Sequence, residues 1–357
     1  MNRFLQLHLL TFFPPANLNR DDTGRPKTAV VGGVTRLRLS SQALKRAWRS
    51  SEIFSNALAG HLGERTQRLG EVILGHLLTG GMAEDKALLV AREIASVFGK
   101  VKDAKDKAPT RIEQLAFVAP EEKAAALALA DRALAGEKID AKAAGLLRSA
   151  DTAADIALFG RMLADDPGYN REAAAQVAHA ITTHKVTVED DYYTAVDDLK
   201  LPSEDAGAGF LGEAAFGSGV FYLYLCIDTA LLVKNLGGDQ ELAETALAAL
   251  VEAAATTAPR GKQNSFAAHG RAAYLLAERG DQQPRTLAGA FARPVEAADD
   301  PGRGLVDASI AALQAFRQDL DAAYGPGCAE ECSLQVGGKG SLRDVLAFVR
   351  GTPCPAT

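Results

Sequence analysis

Cysteine is scarce in this chain: four among 357 residues, at positions 226, 328, 332 and 354. That is too few for a scaffold built on disulfides, and it fits ordinary free thiols in a reducing compartment. Only Cys328 and Cys332 are close in sequence. No second Cys or His pair stands near them, so the paired ligand spacing of a structural zinc site is missing. Also missing is any apolar run near the ~20 residues needed to cross a bilayer. Met1 to Leu10 alternate polar and apolar residues, which reads as a strand and not as a signal peptide. These absences predict a cytoplasmic protein with no metal centre and no cofactor.

What is present is a hydrophobic fraction of 47%, enough for a sizeable core, in a chain long enough for two domains or one large elaborated one. The net charge of −6 hides an uneven distribution. Residues 1–50 hold nine Lys or Arg and two acids, for +7, which leaves −13 on the remainder. A basic segment on an acidic body is expected where one surface meets phosphates, although a solvated charged face has the same composition.

Phe4 to Phe12 alternates as a half-buried strand, with Leu5, Leu7 and Leu9 on one face and Gln6 and His8 on the other. Pro14 and Pro15 should end it, and Asn19 to Gly24 has turn chemistry. After Gly32-Gly33 a second strand, Thr35 to Leu39, places Arg36 and Arg38 outward. Ser40-Ser41 then caps a helix on which Gln42, Lys45, Arg46 and Arg49 share one side and Leu44, Ala47 and Trp48 the other. From about 52 to 165 alanine and leucine dominate, as in the helix Glu121 to Gly136 behind Pro120. This block reads as a helical lobe inserted into a strand-containing framework. Strand patterning returns over 177–188 and 217–226, with an acidic loop too long for a plain turn between them. Beyond lie a helix near 239–256, strands near 262–280, and helices near 304–323 and 341–350.

The informative stretch is Asn19 to Arg49. Free N–H groups and the positive dipole end at Ser40–Gln42 attract a phosphate, and Lys45, Arg46 and Arg49 extend that attraction along a backbone. Nothing in it reads base identity. Leu18-Asn19-Arg20-Asp21-Asp22, Lys27, Gly32-Gly33 and Arg38 through Ala47 resemble the opening of the CasC-type backbone subunit of the type I-E CRISPR Cascade complex. The likeness continues at His179 to His184, Tyr193 to Leu199, Ser218 to Tyr222, Leu236-Gly237-Gly238 and Gly261-Lys262-Gln263.

The resemblance implies an α+β fold. A modified ferredoxin-like, RNA-recognition-type palm (1–55, 165–188 and 218–357) would carry helical fingers (56–164) and a hairpin thumb (189–217). Copies would stack head to tail on CRISPR guide RNA, with target DNA pairing to the guide and subunits of the CasA, CasB, CasD and CasE types as further partners. The RNA-facing residues it implies are Arg20, Lys27, Ser40, Gln42, Lys45, Arg46 and Arg49 in the palm. Met162 would be a wedge near a kink in the RNA, and Tyr193 and Thr194 would lie on the thumb. Backbone contacts suit a protein that leaves sequence choice to base pairing. The aromatic stacking signature of ordinary RNA-recognition sheets is absent.

Three other patterns point to less. His179 and His184 are five apart and make no His-Glu-x-x-His pattern, so they read as structural. Gly337-Gly338-Lys339-Gly340-Ser341 lacks the Gly-Lys-Ser order of a phosphate loop and reads as a helix-entry turn. Asp190, Asp191, Asp197 and Asp198 offer the alternative of a metal-dependent ribonuclease acting through the loop 190–198. A helical protein–protein scaffold with an incidental basic patch is a third reading.

Overall fold

The computed structural model describes residues 2–163, 166–195, 210–296 and 304–355. The chain forms two compact units: one of residues 2–54, 177–226 and 250–357, the other of residues 55–176 and 227–249. Asp197 and Asp198 lie outside the described residues.

The first unit is built on a sheet. Its strands are β1 (Phe4–Ala16), β2 (Thr28–Val31), β3 (Val34–Leu39), β4 (Ala180–Thr182), β5 (Glu189–Ala195), β6 (Phe210–Asp228), β7 (Ala272–Gly280) and β8 (Glu330–Gln335). The hydrogen-bonded order is β8-β7-β1-β6-β4-β3-β2, and β5 pairs with the first part of β6. Leu5, Leu7 and Leu9 are buried as their alternation requires. The other face of β1 is not solvated, however: Gln6 and His8 are buried too. Gln6 Oε1 accepts from the Tyr224 hydroxyl at 2.8 Å and from Arg285 N at 2.7 Å. A central strand covered on both faces can keep polar residues when each finds a partner. Pro14 and Pro15 do not end β1, which runs on to Ala16 beyond an irregularity at Leu10/Thr11.

Gly32 and Gly33 make the two-residue turn between β2 and β3, with φ of 62° and 77°. Two successive positive φ values favour glycine in such a turn. At Gly32 a Cβ would also meet the Ala292 carbonyl oxygen at 1.9 Å. Arg36 corrects the sequence reading, because it is fully buried and not outward. Its guanidinium donates to the carbonyls of Thr182 at 2.9 Å, Phe291 at 3.0 Å and Val31 at 3.4 Å. Alternation gave its face correctly as opposite to Leu37, but both faces of β3 are covered here.

The second unit is mainly helical. Helix α1 (Ser41–Arg49) belongs to the sheet unit; α2 (Leu69–Thr79), α3 (Glu84–Ala95) and α4 (Pro120–Leu134) form the core of the second. Ile73, Leu77, Ala91, Ile94, Ala126 and Ala130 are completely buried. Alanines at these positions let helix axes approach closely. Two buried ion pairs brace the lobe, Arg161 to Glu122 at 2.6 Å and Arg171 to Asp151 at 2.9 Å.

The C-terminal part of the sheet unit carries α5 (Leu305–Tyr324) and α6 (Leu342–Val349), close to the expected spans. Ser341 caps α6, accepting from Asp344 N at 3.2 Å, so the glycine-rich stretch before it is a helix-entry turn. Of the expected 262–280 strands only β7 is present, while 263–266 is a short helix, and β8 had no sequence expectation. Over 177–188 only β4 is a full strand of the expected pattern. The cysteines also differ from expectation: Cys332 of β8 is disulfide-bonded to Cys354, leaving Cys226 and Cys328 as thiols. The fold brings together two residues separated by 22 positions, which spacing alone gave no reason to pair. No helix among the described residues is long and apolar enough to cross a membrane.

Candidate nucleic-acid interface

Helix α1 forms where the sequence placed it. Ser40 adopts an extended backbone and its hydroxyl accepts from Ala43 N at 3.3 Å. Ser40 is therefore buried and committed to the cap, fixing where the helix begins. Leu44, Ala47 and Trp48 are buried; Gln42 and Arg46 are exposed, and Lys45 and Arg49 half-buried. Burial lowers the pKa of Lys45 from the ordinary lysine value.

Asn19 joins the preceding loop to this helix. Its side-chain oxygen accepts from Ser40 N at 2.8 Å and its backbone oxygen from Lys27 N at 2.8 Å. Lys27 O in turn accepts from Arg38 N at 2.8 Å. One asparagine thus ties the chain bearing Arg20 and Lys27 to the start of the cationic helix. Beside it, Arg38 Nη1 lies 2.8 Å from His179 Nδ1. Burial, together with the charges of Arg38 and Lys27, lowers the His179 pKa, so the ring is neutral and accepts. His184 accepts from Val220 N at 3.2 Å, a structural role as expected.

Tyr193 and Thr194 lie on β5, all seven residues of which are exposed. Tyr193 faces Gly212 across the hairpin, and a Cβ there would meet its ring at 2.4 Å. Glycine leaves room for the tyrosine ring to lie across the strand pair. At the hairpin base Asp190 is ion-paired with Arg25 at 2.7 Å. It is therefore already neutralised by a cation, which disfavours its use as a metal ligand.

In the helical unit Met162 is 82% exposed, an unusual position for a large apolar side chain. The residue before it is an anchor. Arg161 is buried, pairs with Glu122, and donates to the carbonyls of Arg148 at 3.0 Å and Tyr169 at 3.2 Å. Gly160, at φ 79°, turns the chain into this segment.

One group of acids and sulfur resembles a metal site. Glu278, Cys328 and Glu331 place a ligand atom each within 4.8 Å of one another. Glu278 is already surrounded by Arg285 at 2.7 Å, Arg317 at 2.8 Å and His8 at 3.3 Å. Two guanidinium groups there repel a cation, and burial with the Glu278 charge pushes the Cys328 thiol up to about 11.

The residues that sequence reasoning left out are the organisers. Asn17 carries no charge, Asn19 read as turn chemistry, and Arg25 was counted only among the basic residues of 1–50. Lys262 stood in a quoted motif without a role, and His179 read as a structural histidine. Their signal is tertiary: loop, helix and hairpin meet through them.

A mixed α+β frame that ties a cationic helix to a basic loop is an arrangement suited to a nucleic-acid backbone. The model of the CT1975-like protein family matches residues 5–343, and the chain belongs to that family, the non-catalytic CasC-type backbone subunits of type I-E Cascade. Among solved structures, a chain of a "CRISPR RNA-guided surveillance complex, pre-nicking" is 28% identical with a TM-score of 0.83, covering 97% of this chain and 99% of that one. A chain of a "CRISPR RNA-guided surveillance complex" is 26% identical with a TM-score of 0.71, covering 95% and 93%. Comparison with curated protein sequences finds no match.

Proposed function

We propose that this subunit coats guide RNA through phosphates, with Arg20, Lys27, Gln42, Lys45, Arg46 and Arg49 as contacts. Ser40 holds the helix end on which a phosphate rests. The observation that carries this reading is the Asn19 junction, which holds the basic loop against the start of the cationic helix. Residues 1–55, 165–188 and 218–357 act as a modified ferredoxin-like palm, 56–164 as fingers and 189–217 as a thumb. Met162 is the wedge that separates stretches of guide, and Tyr193 and Thr194 reach the RNA from the thumb. Copies stack head to tail along the guide, flanked by subunits of the CasA, CasB, CasD and CasE types.

The test uses the full chain and a single-stranded RNA of guide length, with affinity measured across salt concentration. Lys45→Gln with Arg49→Gln should weaken binding and lower the log–log salt slope by ~0.7 for each phosphate no longer neutralised. An unchanged slope with intact fold would overturn the assignment.

A further inference from the structure

Strand β8 closes one end of the sheet, paired with β7 alone. Side chains of a strand alternate between its two faces. On one face Cys332 and Leu334 are buried, on the side where α6 packs. On the other, Glu331 meets Arg317 of α5.

The strand and the helix are each held by several contacts besides the disulfide. Strand β8 has its ladder to β7, the pair of Glu330 with Arg279 at 2.6 Å, and the pair of Glu331 with Arg317. Helix α6 buries Val345, Phe348 and Val349. The Arg279 guanidinium lies 4.3 Å from the Phe348 ring, and its Nη1 donates to Phe348 O at 2.9 Å. The segment after α6 has nothing comparable. Gly351, at φ 100°, ends the helix, and the N–H groups of Arg350, Gly351 and Thr352 donate back to helix carbonyls. Pro353 and Pro355 have no N–H to give. Gly351, Thr352, Pro353 and Pro355 are exposed. Beyond Thr352 the described residues make no hydrogen bond, and the bond from Cys354 to Cys332 is what fixes them to the sheet.

The two bonded sulfurs differ in access. Cys332 is 2% exposed, whereas Cys354 is half-buried and flanked by exposed prolines. A disulfide with one accessible sulfur is open to thiolate attack, the property that separates labile bonds from structural ones. Cys328 does not serve as the attacking group. It lies on the α5 side, 3.7 Å from Glu278 Oε1, where burial and that carboxylate keep its thiol protonated. The reductant therefore comes from outside the chain.

We propose that the Cys332–Cys354 bond is a redox latch on the segment that follows α6. The reductant is a dithiol. One of its thiolates attacks Cys354 Sγ, forming a mixed disulfide and releasing Cys332 as a thiolate that takes up a proton. Its second thiol attacks the mixed disulfide, closes the reductant's own disulfide and leaves Cys354 as a thiol. Two electrons pass, and each protein sulfur ends with one proton. Oxidised, the segment is fixed to the edge strand. Reduced, it swings free from Gly351 onward, while β8 and α6 keep their ion pairs, ladder and buried side chains. The latch stands apart from the guide-RNA reading and draws on none of its residues.

The experiment compares full-length protein, oxidised and after treatment with dithiothreitol, without denaturant. Alkylation should then label Cys354 before Cys332. Amide hydrogen exchange followed by mass spectrometry should speed up by about tenfold or more at Thr352 and Cys354, as in a segment that opens locally at little cost. Amides of β8 and α6 should exchange equally in both forms. Cys354→Ser, a change at a half-buried site, should show the fast exchange without reductant and gain nothing from dithiothreitol. A bond that yields to dithiothreitol only in denaturant would overturn the latch. So would equal exchange of the segment in both forms, or loss of α6 protection along with it, which would make the bond a brace of the fold.

Discussion

At the scale of single residues, the charges that matter most to folding are those the sequence placed outside. Arg36 looks like a surface cation, yet its guanidinium satisfies three backbone carbonyls inside the sheet unit. Arg36→Leu should cost at least about 3 kcal/mol, since three buried carbonyls lose their donor and each costs about 1–3 kcal/mol. Urea unfolding measures this, and a change under about 1 kcal/mol would show that other donors replace it. His8 makes a pH prediction. Burial lowers its pKa from 6.5 despite the hydrogen bond to Glu278, so the folded protein keeps it neutral. Burial alone would raise Glu278 from 4.5, but His8 and Arg285 hold it well below. As pH falls below about 6.5 the unfolded chain takes up a proton that the fold refuses, and below about 4.5 Glu278 adds to the loss. Stability should therefore drop between about pH 7.5 and 5.5, and less steeply in His8→Gln. Equal urea midpoints at both pH values would contradict the burial of a neutral ring.

Secondary-structure elements were legible where one face is solvated and obscure where both are covered. Helix α1 has a cationic face and a buried one, so its period announced it; α4 was marked by Pro120. The short β8, with Glu330 and Glu331 exposed at its start, has no pattern that separates it from a loop. Its pairing with β7 supplies the stability that its own sequence does not. The same strand holds Cys332, bonded to Cys354 beyond α6. Alkylation of denatured, unreduced protein should label Cys226 and Cys328 only. Labelling of all four would remove the tether. Where the bond is present, its reduction should lower stability by about 3 kcal/mol, the loop-closure entropy of a span this long.

For the molecule as a whole, +7 on residues 1–50 and −13 on the rest concentrate attraction for polyanions on one segment. The candidate contacts are to phosphates, so RNA of unrelated sequences but equal length should bind within about threefold of one another. A difference of about a hundredfold between unstructured sequences would require base readout, which phosphate-directed cations do not provide. Charge asymmetry was available from the sequence, and so was the order of the motifs that carry the family likeness.

The sequence by itself determined the cationic helix, the helical lobe and the family, because these depend on local periodicity and on motifs read in order, whereas the residues of the hairpin read as an acidic loop. Tertiary structure alone decided that Gln6, His8 and Arg36 are interior, that Cys332 meets Cys354, and that Asn19 joins loop to helix. It also decided that Arg25 meets Asp190 of the hairpin. The physical reason is common to all of these. Burial and partnership depend on what covers a residue from elsewhere in the chain, and neither period nor spacing carries that information.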